Sequence, residues 1–198
     1  MTLREPVHLE DPRTIGPVHF IAIGGAGMSG VARAYAELGA EVSGSDQVNS
    51  TRLESLSAMG VRTWVGHDPS HVHGARTVVV SSAIHDDNPE LVEARRLGLR
   101  IWHRSAALAA LMLGRQGVSV AGTHGKTTTS AIIASILTDA GMDPSYVIGS
   151  PLATSGRSAH LGRGDAFVVE ADESDGSFLQ YPSPVSYTHL TLPTIYSV

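Results

Sequence analysis

The sequence predicts an α/β protein made of two parallel-sheet units, the second of them incomplete. Short apolar runs rich in β-branched residues alternate with stretches of helical periodicity, which is typical of parallel sheets with right-handed crossovers. Two glycine-rich loops each follow a predicted strand and precede a predicted helix. The composition agrees with this class, because 21 of the 198 residues are glycine and only 5% are aromatic.

Five strands and their helices make up the first unit. The predicted strands are 20–23, 41–45, 61–65, 77–81 and 99–102. Asn88 and Pro89 begin the helix before the last strand, and Ser105 caps the helix after it. The apolar pattern pauses at 114–117, so we expect residues 1–114 to form one domain.

The second unit begins with a strand at 118–120 and a helix at 126–140. Strands at 146–148 and 166–169 follow. Residues 115–182 are therefore expected to form part of a second α/β domain.

Composition and charge argue against several classes of function. The chain has 14 basic and 19 acidic residues, a net charge of −5, so we expect no nucleic-acid partner. It has no cysteine, which excludes disulfides and thiolate chemistry. The longest apolar run, 106–113, is far shorter than the ~18 residues of a membrane span, and residues 1–6 lack a signal-peptide pattern. We expect a cytoplasmic protein with no membrane association and no obligate protein partner.

The first glycine loop matches the pattern G-x-G-x-x-G. Its residues are Gly25, Ala26, Gly27, Met28, Ser29 and Gly30. In a Rossmann-like fold such glycines allow a tight turn, room for a diphosphate and close packing of helix on strand, and the helix N-terminus attracts the anion. Asp46 ends the second strand, where a ribose-binding carboxylate would lie; an ordinary strand-end cap is the alternative. Taken alone, the loop indicates NAD binding.

The second glycine loop resembles a P-loop. Its residues are Gly122, Thr123, His124, Gly125, Lys126, Thr127 and Thr128, and Val120 replaces the first glycine of the Walker pattern. Backbone N–H groups can still surround an anion, Lys126 can reach the β/γ-phosphates, and the Thr127 hydroxyl can bind Mg²⁺. Two phosphate loops imply two phosphorylated ligands. A kinase or ATP-dependent ligase is therefore favoured over an oxidoreductase, and residues 115–182 are predicted to be part of a P-loop ATPase domain.

Carboxylates follow the strand at 166–169. Glu170 lies at the strand end beside the phosphate loop, where a second Mg²⁺ contact belongs, and three more acids follow by Asp175. A solvated acidic turn is the alternative interpretation. Ten histidines raise a further metal hypothesis, above all His67, His71 and His73. No cysteine or acid stands at ligand spacing to them, so we interpret this segment as a surface loop.

Four segments resemble, in order, the Mur ligases of peptidoglycan synthesis. They are 23–30 (IGGAGMSG), 81–84 (SSAI), 121–129 (AGTHGKTTT) and 170–179 (EADESDGSFL). Within the family they resemble the members that add L-alanine to UDP-N-acetylmuramate more than those that recycle murein tripeptide. The resemblance implies that the first domain holds UDP rather than NAD. It also implies that ATP phosphorylates the lactyl carboxylate and that L-alanine attacks the resulting acyl phosphate.

The resemblance also implies roles for individual residues. Lys126 and His124 would be catalytic, and residues 122–128 would bind ATP. Thr127 and Glu170 would bind Mg²⁺. The implied contacts to the UDP-sugar are residues 25–30, Asp46, His67, Ser81 and Arg104.

After Pro182 the sequence no longer resembles the family. We expect residues 183–198 to be a tail foreign to it, and the C-terminal ligase domain to be absent. The chain alone is then expected not to ligate. A non-catalytic UDP-sugar-binding module is the alternative function, and an NAD-dependent oxidoreductase is a less favoured one.

Overall fold

The computed structural model describes residues 7–171, residues 181–182 and the backbone of residues 185–187. Its first sheet has five parallel strands in the order β3-β2-β1-β4-β5. They are β1 (Val18–Ile21), β2 (Val42–Asp46), β3 (Arg62–Val65), β4 (Thr77–Val80) and β5 (Arg100–His103). The strand order reverses between β1 and β4, and sheets of this kind bind ligands at the carboxyl ends of strands near such a point. The predicted Rossmann-like unit is confirmed.

Helices cover both faces of this sheet because alternate residues of the strands are apolar on both sides. Phe20 belongs to the core that includes α1 (Ala26–Glu37), α2 (Thr51–Ala58) and α4 (Arg104–Leu111). Ile21, the next residue, belongs to the core beneath α3 (Pro89–Arg96) and a 3₁₀ helix (Pro69–Val72). The sheet is therefore buried on both sides, as in other parallel sheets.

The second sheet has the order β10-β6-β9-β7-β8. Its strands are β6 (Gln116–Val120), β7 (Ser145–Val147), β8 (Ala159–His160), β9 (Ala166–Glu170) and β10 (Val185–Tyr187). Only the β7–β8 pairing is antiparallel among these strands. Helix α5 (Lys126–Asp139) connects β6 to β7. Val120 and Glu170 are register partners, which brings the end of β9 beside the start of the second loop.

Helix α1 joins the two units. A Cβ atom at Gly30 would lie 3.3 Å from Val147 Cγ1 and 3.4 Å from Ala159 Cβ. Both neighbours belong to the same hydrophobic core as Phe20. Gly30 thus permits the close helix–strand packing that the sequence predicts, but the strands are β7 and β8 of the second unit.

Three local features differ from the sequence-based expectations. Strand β1 ends at Ile21, because Ala22 has a φ of 59° and turns the chain into the glycine loop. The N-cap of α4 is His103 rather than Ser105, since the imidazole accepts from the Ser105 N–H. The backbone of Val185–Tyr187, within the expected tail, pairs with β6.

Across the described part of the chain, every helix is too short or too polar to cross a bilayer. The acidic residues 172–175 lie outside the described residues, so their predicted role at the metal site stays a prediction.

Candidate active site

The residues predicted to bind a UDP-sugar gather at the carboxyl edge of the first sheet. Each follows or ends a different parallel strand, and parallel strands place these ends along one edge. The glycine loop follows β1, Asp46 ends β2, His67 follows β3, Ser81 follows β4 and Arg104 follows β5. The edge is therefore assembled from segments that are distant in sequence.

Asp46 braces the glycine loop. Its Oδ2 accepts from the Gly24 N–H at 2.9 Å, and its Oδ1 accepts from the Val48 N–H at 3.3 Å. These contacts agree with the strand-end cap. The ribose contact stays a prediction.

Arg104 reaches across the sheet edge to the same loop. A Cβ atom at Gly27 would lie only 2.6 Å from Arg104 Nη1. The guanidinium therefore lies against the first turn of α1, where N–H groups and the helix dipole favour an anion. The missing side chain of Gly27 thus lets the Arg104 guanidinium approach this turn.

Ser81 is half-buried at the start of a turn, and its carbonyl accepts from the Ile84 N–H at 3.1 Å. Its neighbour Ser82 lies with Oγ 3.1 Å from His103 Nε2. Ser81 thus lies at the edge, on the far side of the glycine loop from His67.

The second loop is held by its own lysine. Lys126 begins α5, and its Nζ donates to the Gly122 carbonyl at 2.7 Å. Gly125, the N-cap, has a left-handed φ of 79°, a conformation that favours glycine. Thr123 and His124 are exposed at the tip of the loop. The loop thus presents an ammonium group and a helix N-terminus at the position predicted for ATP phosphates.

The two predicted metal ligands lie next to each other. The Thr127 hydroxyl donates to Glu170 Oε2 at 3.1 Å, and the Gly149 N–H donates to Glu170 Oε1 at 2.7 Å. Mg²⁺ prefers oxygen ligands and is commonly held by one or two protein groups plus substrate phosphates, so this pair fits it. Within the described residues, no cluster of three or more imidazole or carboxylate groups has the arrangement of a metal site.

Gly149, which the sequence analysis missed, lies against the Thr127–Glu170 pair. A Cβ atom there would lie 3.0 Å from Glu170 Oε2 and 3.1 Å from Thr127 Oγ1. A side chain at this position would crowd the hydroxyl–carboxylate pair. The available signal was its position directly after a strand of the second sheet, at the same edge as the phosphate loop.

The interpretation of the histidine segment as a surface loop is wrong for two of its three histidines. The side chains of His67 and His71 are 17% and 13% exposed, and both Nδ1 atoms contact the fully buried Glu90, at 3.2 and 2.7 Å. The acid was missed because it comes from the start of α3. Burial opposes ionisation of Glu90, but contacts with His19, Ser45 and His71 outweigh it and lower its pKa to about 2. His73 is 57% exposed and fits the surface interpretation.

Comparison with known families identifies the class of this fold and site. The profile described as "Mur ligase family, catalytic domain" matches residues 17–116, about half of the chain. The chain belongs to the Mur ligase family.

Individual relatives narrow the comparison. The chain is 76% identical over 185 residues to the UDP-N-acetylmuramate–L-alanine ligase of Cutibacterium acnes, covering 93% of this chain and 39% of that protein. It is 54% identical to the enzyme of the same name from Nocardioides sp. over 181 residues, 91% of this chain and 41% of that protein. The chain thus spans about two fifths of the length of these curated relatives.

Solved structures agree with this placement. The UDP-N-acetylmuramate-alanine ligase of Thermotoga maritima superposes with a TM-score of 0.81 at 30% identity, covering 87% of this chain and 40% of that one. The UDP-N-acetylmuramate:L-alanyl-γ-D-glutamyl-meso-diaminopimelate ligase of Neisseria meningitides gives 0.79 at 27% identity, covering 92% and 64%. The fold is shared by both kinds of ligase, whereas the high sequence identities are to the alanine-adding enzymes.

Proposed function

We propose that this chain carries the UDP-sugar site and the ATP-phosphate site of a ligase that joins L-alanine to UDP-N-acetylmuramate. The observation that supports it best is the presence of two different glycine loops: the Thr127–Glu170 pair beside Lys126 at the second loop, and a lysine-free first loop braced by Asp46. A nicotinamide enzyme needs no such second site. The names of the relatives at 54% and 76% identity support alanine as the amino acid.

The first edge would hold the nucleotide sugar without reacting with it. Backbone N–H groups at the start of α1 and the Arg104 guanidinium would bind the diphosphate. Asp46 keeps the loop in shape by holding the Gly24 N–H. His67 and Ser81 would contact the rest of the UDP-sugar from the strands on either side.

The second edge would transfer the phosphoryl group of ATP to the lactyl carboxylate. Lys126 would exchange its contact with the Gly122 carbonyl for the phosphate oxygens and stabilise the charge that moves during transfer. Thr127 and Glu170 would hold Mg²⁺, which neutralises phosphate charge when bound. The exposed His124 would lie near the carboxylate that is activated. L-alanine would then displace phosphate from the acyl phosphate.

Such an enzyme uses ATP and a nucleotide sugar, so we place it in the cytoplasm. We propose no nucleic-acid, membrane or obligate protein partner. That the chain alone does not ligate stays a prediction; release of ADP that requires both L-alanine and UDP-N-acetylmuramate would contradict it.

Calorimetric titration of the 198-residue chain with UDP-N-acetylmuramate, and with NADH in parallel, tests the proposal. We expect saturable binding of the UDP-sugar and none of NADH. The Arg104→Ala variant should weaken UDP-sugar binding, and Arg13→Ala, which removes an exposed arginine, should not. Saturable binding of NADH in place of the UDP-sugar would overturn the proposal.

A further inference from the structure

A buried carboxylate lies beneath the carboxyl edge of the first sheet, beside the segment that carries His67. Glu90 is the second residue of α3, and its side chain has no exposed surface. Four side chains contact its oxygens; they are Ser45, His71, His67 and His19, at 2.5, 2.7, 3.2 and 3.6 Å. The Asp68 N–H donates from 3.4 Å. The proposed function uses His67 from this cluster but gives no role to Glu90.

The contacts of His67 determine which of its nitrogens carries hydrogen. The Ser45 hydroxyl has one hydrogen and donates it to Glu90 Oε2. His67 Nδ1 lies 2.9 Å from Ser45 Oγ and 3.2 Å from Glu90 Oε2. Both contacts are attractive only if Nδ1 is the donor.

His71 has the shortest contact with Glu90 of the three imidazoles, so it is the one best placed to pair with this carboxylate. A neutral His67 with hydrogen on Nδ1 has a lone pair on Nε2. Because Nδ1 faces the buried carboxylate, Nε2 lies on the partly exposed side of the ring.

His67 lies at the distance from the glycine loop that a nucleoside spans. It follows β3, two strands from β1 in the sheet, which is about 10 Å at the usual strand spacing. Backbone contacts connect the two places: the Gly66 N–H donates to the Asp46 carbonyl at 2.7 Å, and Asp46 in turn holds the Gly24 N–H at 2.9 Å. A diphosphate on the loop of β1 would thus direct its nucleoside toward His67.

We propose that Glu90 is a positioning residue for substrate recognition: it fixes His67 so that Nε2 accepts a hydrogen bond from the nucleoside of the UDP-sugar. The inference rests on the proposed function. The donor is either the ribose 2′-hydroxyl or the imide N–H of uracil. Glu90 itself does not touch the ligand.

Nitrogen NMR of the imidazoles tests the role of Glu90 without any ligand. In the wild-type chain, His67 should show a protonated Nδ1 and an unprotonated Nε2, with its signals assigned by their loss in His67→Asn. In Glu90→Gln the amide N–H₂ can donate to Nδ1, so the hydrogen should move to Nε2. A wild-type His67 with hydrogen on Nε2 alone would overturn the proposal.

Binding of UDP and two analogues by the full chain tests the contact with the nucleoside. The wild type should bind either 2′-deoxy-UDP or N3-methyl-UDP about 10-fold more weakly than UDP, and the weaker analogue identifies the donor. His67→Asn and Glu90→Gln should each weaken UDP binding by about the same factor and lose the discrimination. Combining the two substitutions should add little, because both remove one contact.

The controls separate failure of this inference from failure of the proposed function. Glu93→Gln alters a carboxylate on the same helix that contacts Arg96 and His73 instead, and it should behave as wild type. Trp64, which stacks on His71 at 4.5 Å, reports by its fluorescence whether the segment keeps its place. If Glu90→Gln unfolds the segment, Ser45→Ala gives the second test and should also reduce discrimination.

Discrimination that is retained in Glu90→Gln, or equal binding of all three ligands by the wild type, would overturn the role of Glu90 and His67. Absence of UDP and UDP-N-acetylmuramate binding by the folded wild-type chain would instead overturn the proposed function, and this contact with it.

Discussion

The two glycine loops occupy the same kind of strand–helix junction, but they are held in different ways. The first loop is held by side chains from other strands, since Asp46 of β2 binds the Gly24 N–H and Arg104, after β5, lies against Gly27. The second loop is held from within, because Lys126 bonds the carbonyl of Gly122 across the loop.

The difference corresponds to the two tasks that we propose. The UDP part of a substrate, which does not itself react, can be bound by an edge assembled from distant side chains. A phosphoryl group that is transferred needs a cationic side chain inside the loop and a carboxylate close to the helix start. Lys126 and the Thr127–Glu170 pair provide these. The first loop contains neither an ammonium group nor a carboxylate among residues 25–30.

The largest expected effect is a loss of stability of the first unit at low pH. The pKa of Glu90 is about 2 in the folded protein against an ordinary 4.5, although burial opposes ionisation, because contacts with His19, Ser45 and His71 outweigh burial. A carboxyl group whose pKa is lowered by folding stabilises the fold above its unfolded pKa, and the stabilisation is lost as the pH falls through the folded pKa. Ionised Glu90 is therefore expected to contribute about 3 kcal/mol to the free energy of unfolding of the first unit, and this contribution is lost between pH 4.5 and pH 2.

Urea unfolding at several pH values checks this, followed by the fluorescence of the two tryptophans, Trp64 and Trp102, which both lie in the first unit. The difference in free energy of unfolding between wild type and Glu90→Gln should shrink across that pH range. Glu93→Gln serves as the control on the same helix. A difference that stays constant with pH would mean that Glu90 does not brace this edge as an anion.

The next effect concerns the second loop alone. Lys126→Ala removes the ammonium group and should weaken binding of MgATP about 100-fold, while UDP-N-acetylmuramate binds as before. Arg163→Ala, which removes an exposed cation of the second unit, is the matched control. Lys126 is the single lysine of the sequence, so protection of one lysine-bearing peptide from an amine reagent gives a second readout. Equal weakening of both ligands would break the distinction between the loops.

A third effect tests the packing that joins the two units. Gly30→Val places a branched side chain against Val147 and Ala159 and should destabilise the protein by about 2 kcal/mol in thermal or urea unfolding. Glu37→Val puts the same residue at an exposed position of α1 and should cost only a few tenths of a kcal/mol. Similar stabilities for the two variants would show that the packing of α1 at Gly30 does not hold the two units together.

The smallest effect tests the bracing of the first loop by Arg104. Gly27→Ala displaces only the flexible end of the arginine, so the chain should still fold but bind UDP-N-acetylmuramate about 10-fold more weakly. In an Arg104→Ala background the same substitution should have little effect, since the clash is gone. Independent, additive losses in calorimetry would argue against a shared site.

Much of the fold and part of the site could be predicted from sequence because their signals are local. The loops at 25–30 and 122–128 are read from consecutive residues, and the strands from short apolar runs. The pairing of Thr127 with Glu170 also follows, since the loop that carries Thr127 follows β6 and Glu170 ends the neighbouring strand β9 at the same edge of the sheet.

The remaining features depend on contacts between distant segments. Glu90 meets His67 and His71 only after α3 has packed against the sheet, so no spacing along the chain reveals their contact. The need for glycine at position 149 becomes visible only in the structure, because a side chain there would crowd Glu170 and Thr127. The cap of α4 was assigned to Ser105 because hydroxyls are common N-caps, whereas the buried His103 imidazole takes that role.

The packing at Gly30 also has a consequence for biosynthesis. Helix α1 is complete once Glu37 has been made. The strands that pack on its Gly30 face, β7 and β8, are complete only when the chain has reached His160. During synthesis on the ribosome, the first unit therefore emerges with the Gly30 face of α1 still uncovered. Because glycine has no side chain, the uncovered face of α1 exposes little apolar area, which limits non-specific association of the nascent chain before β7 and β8 are made.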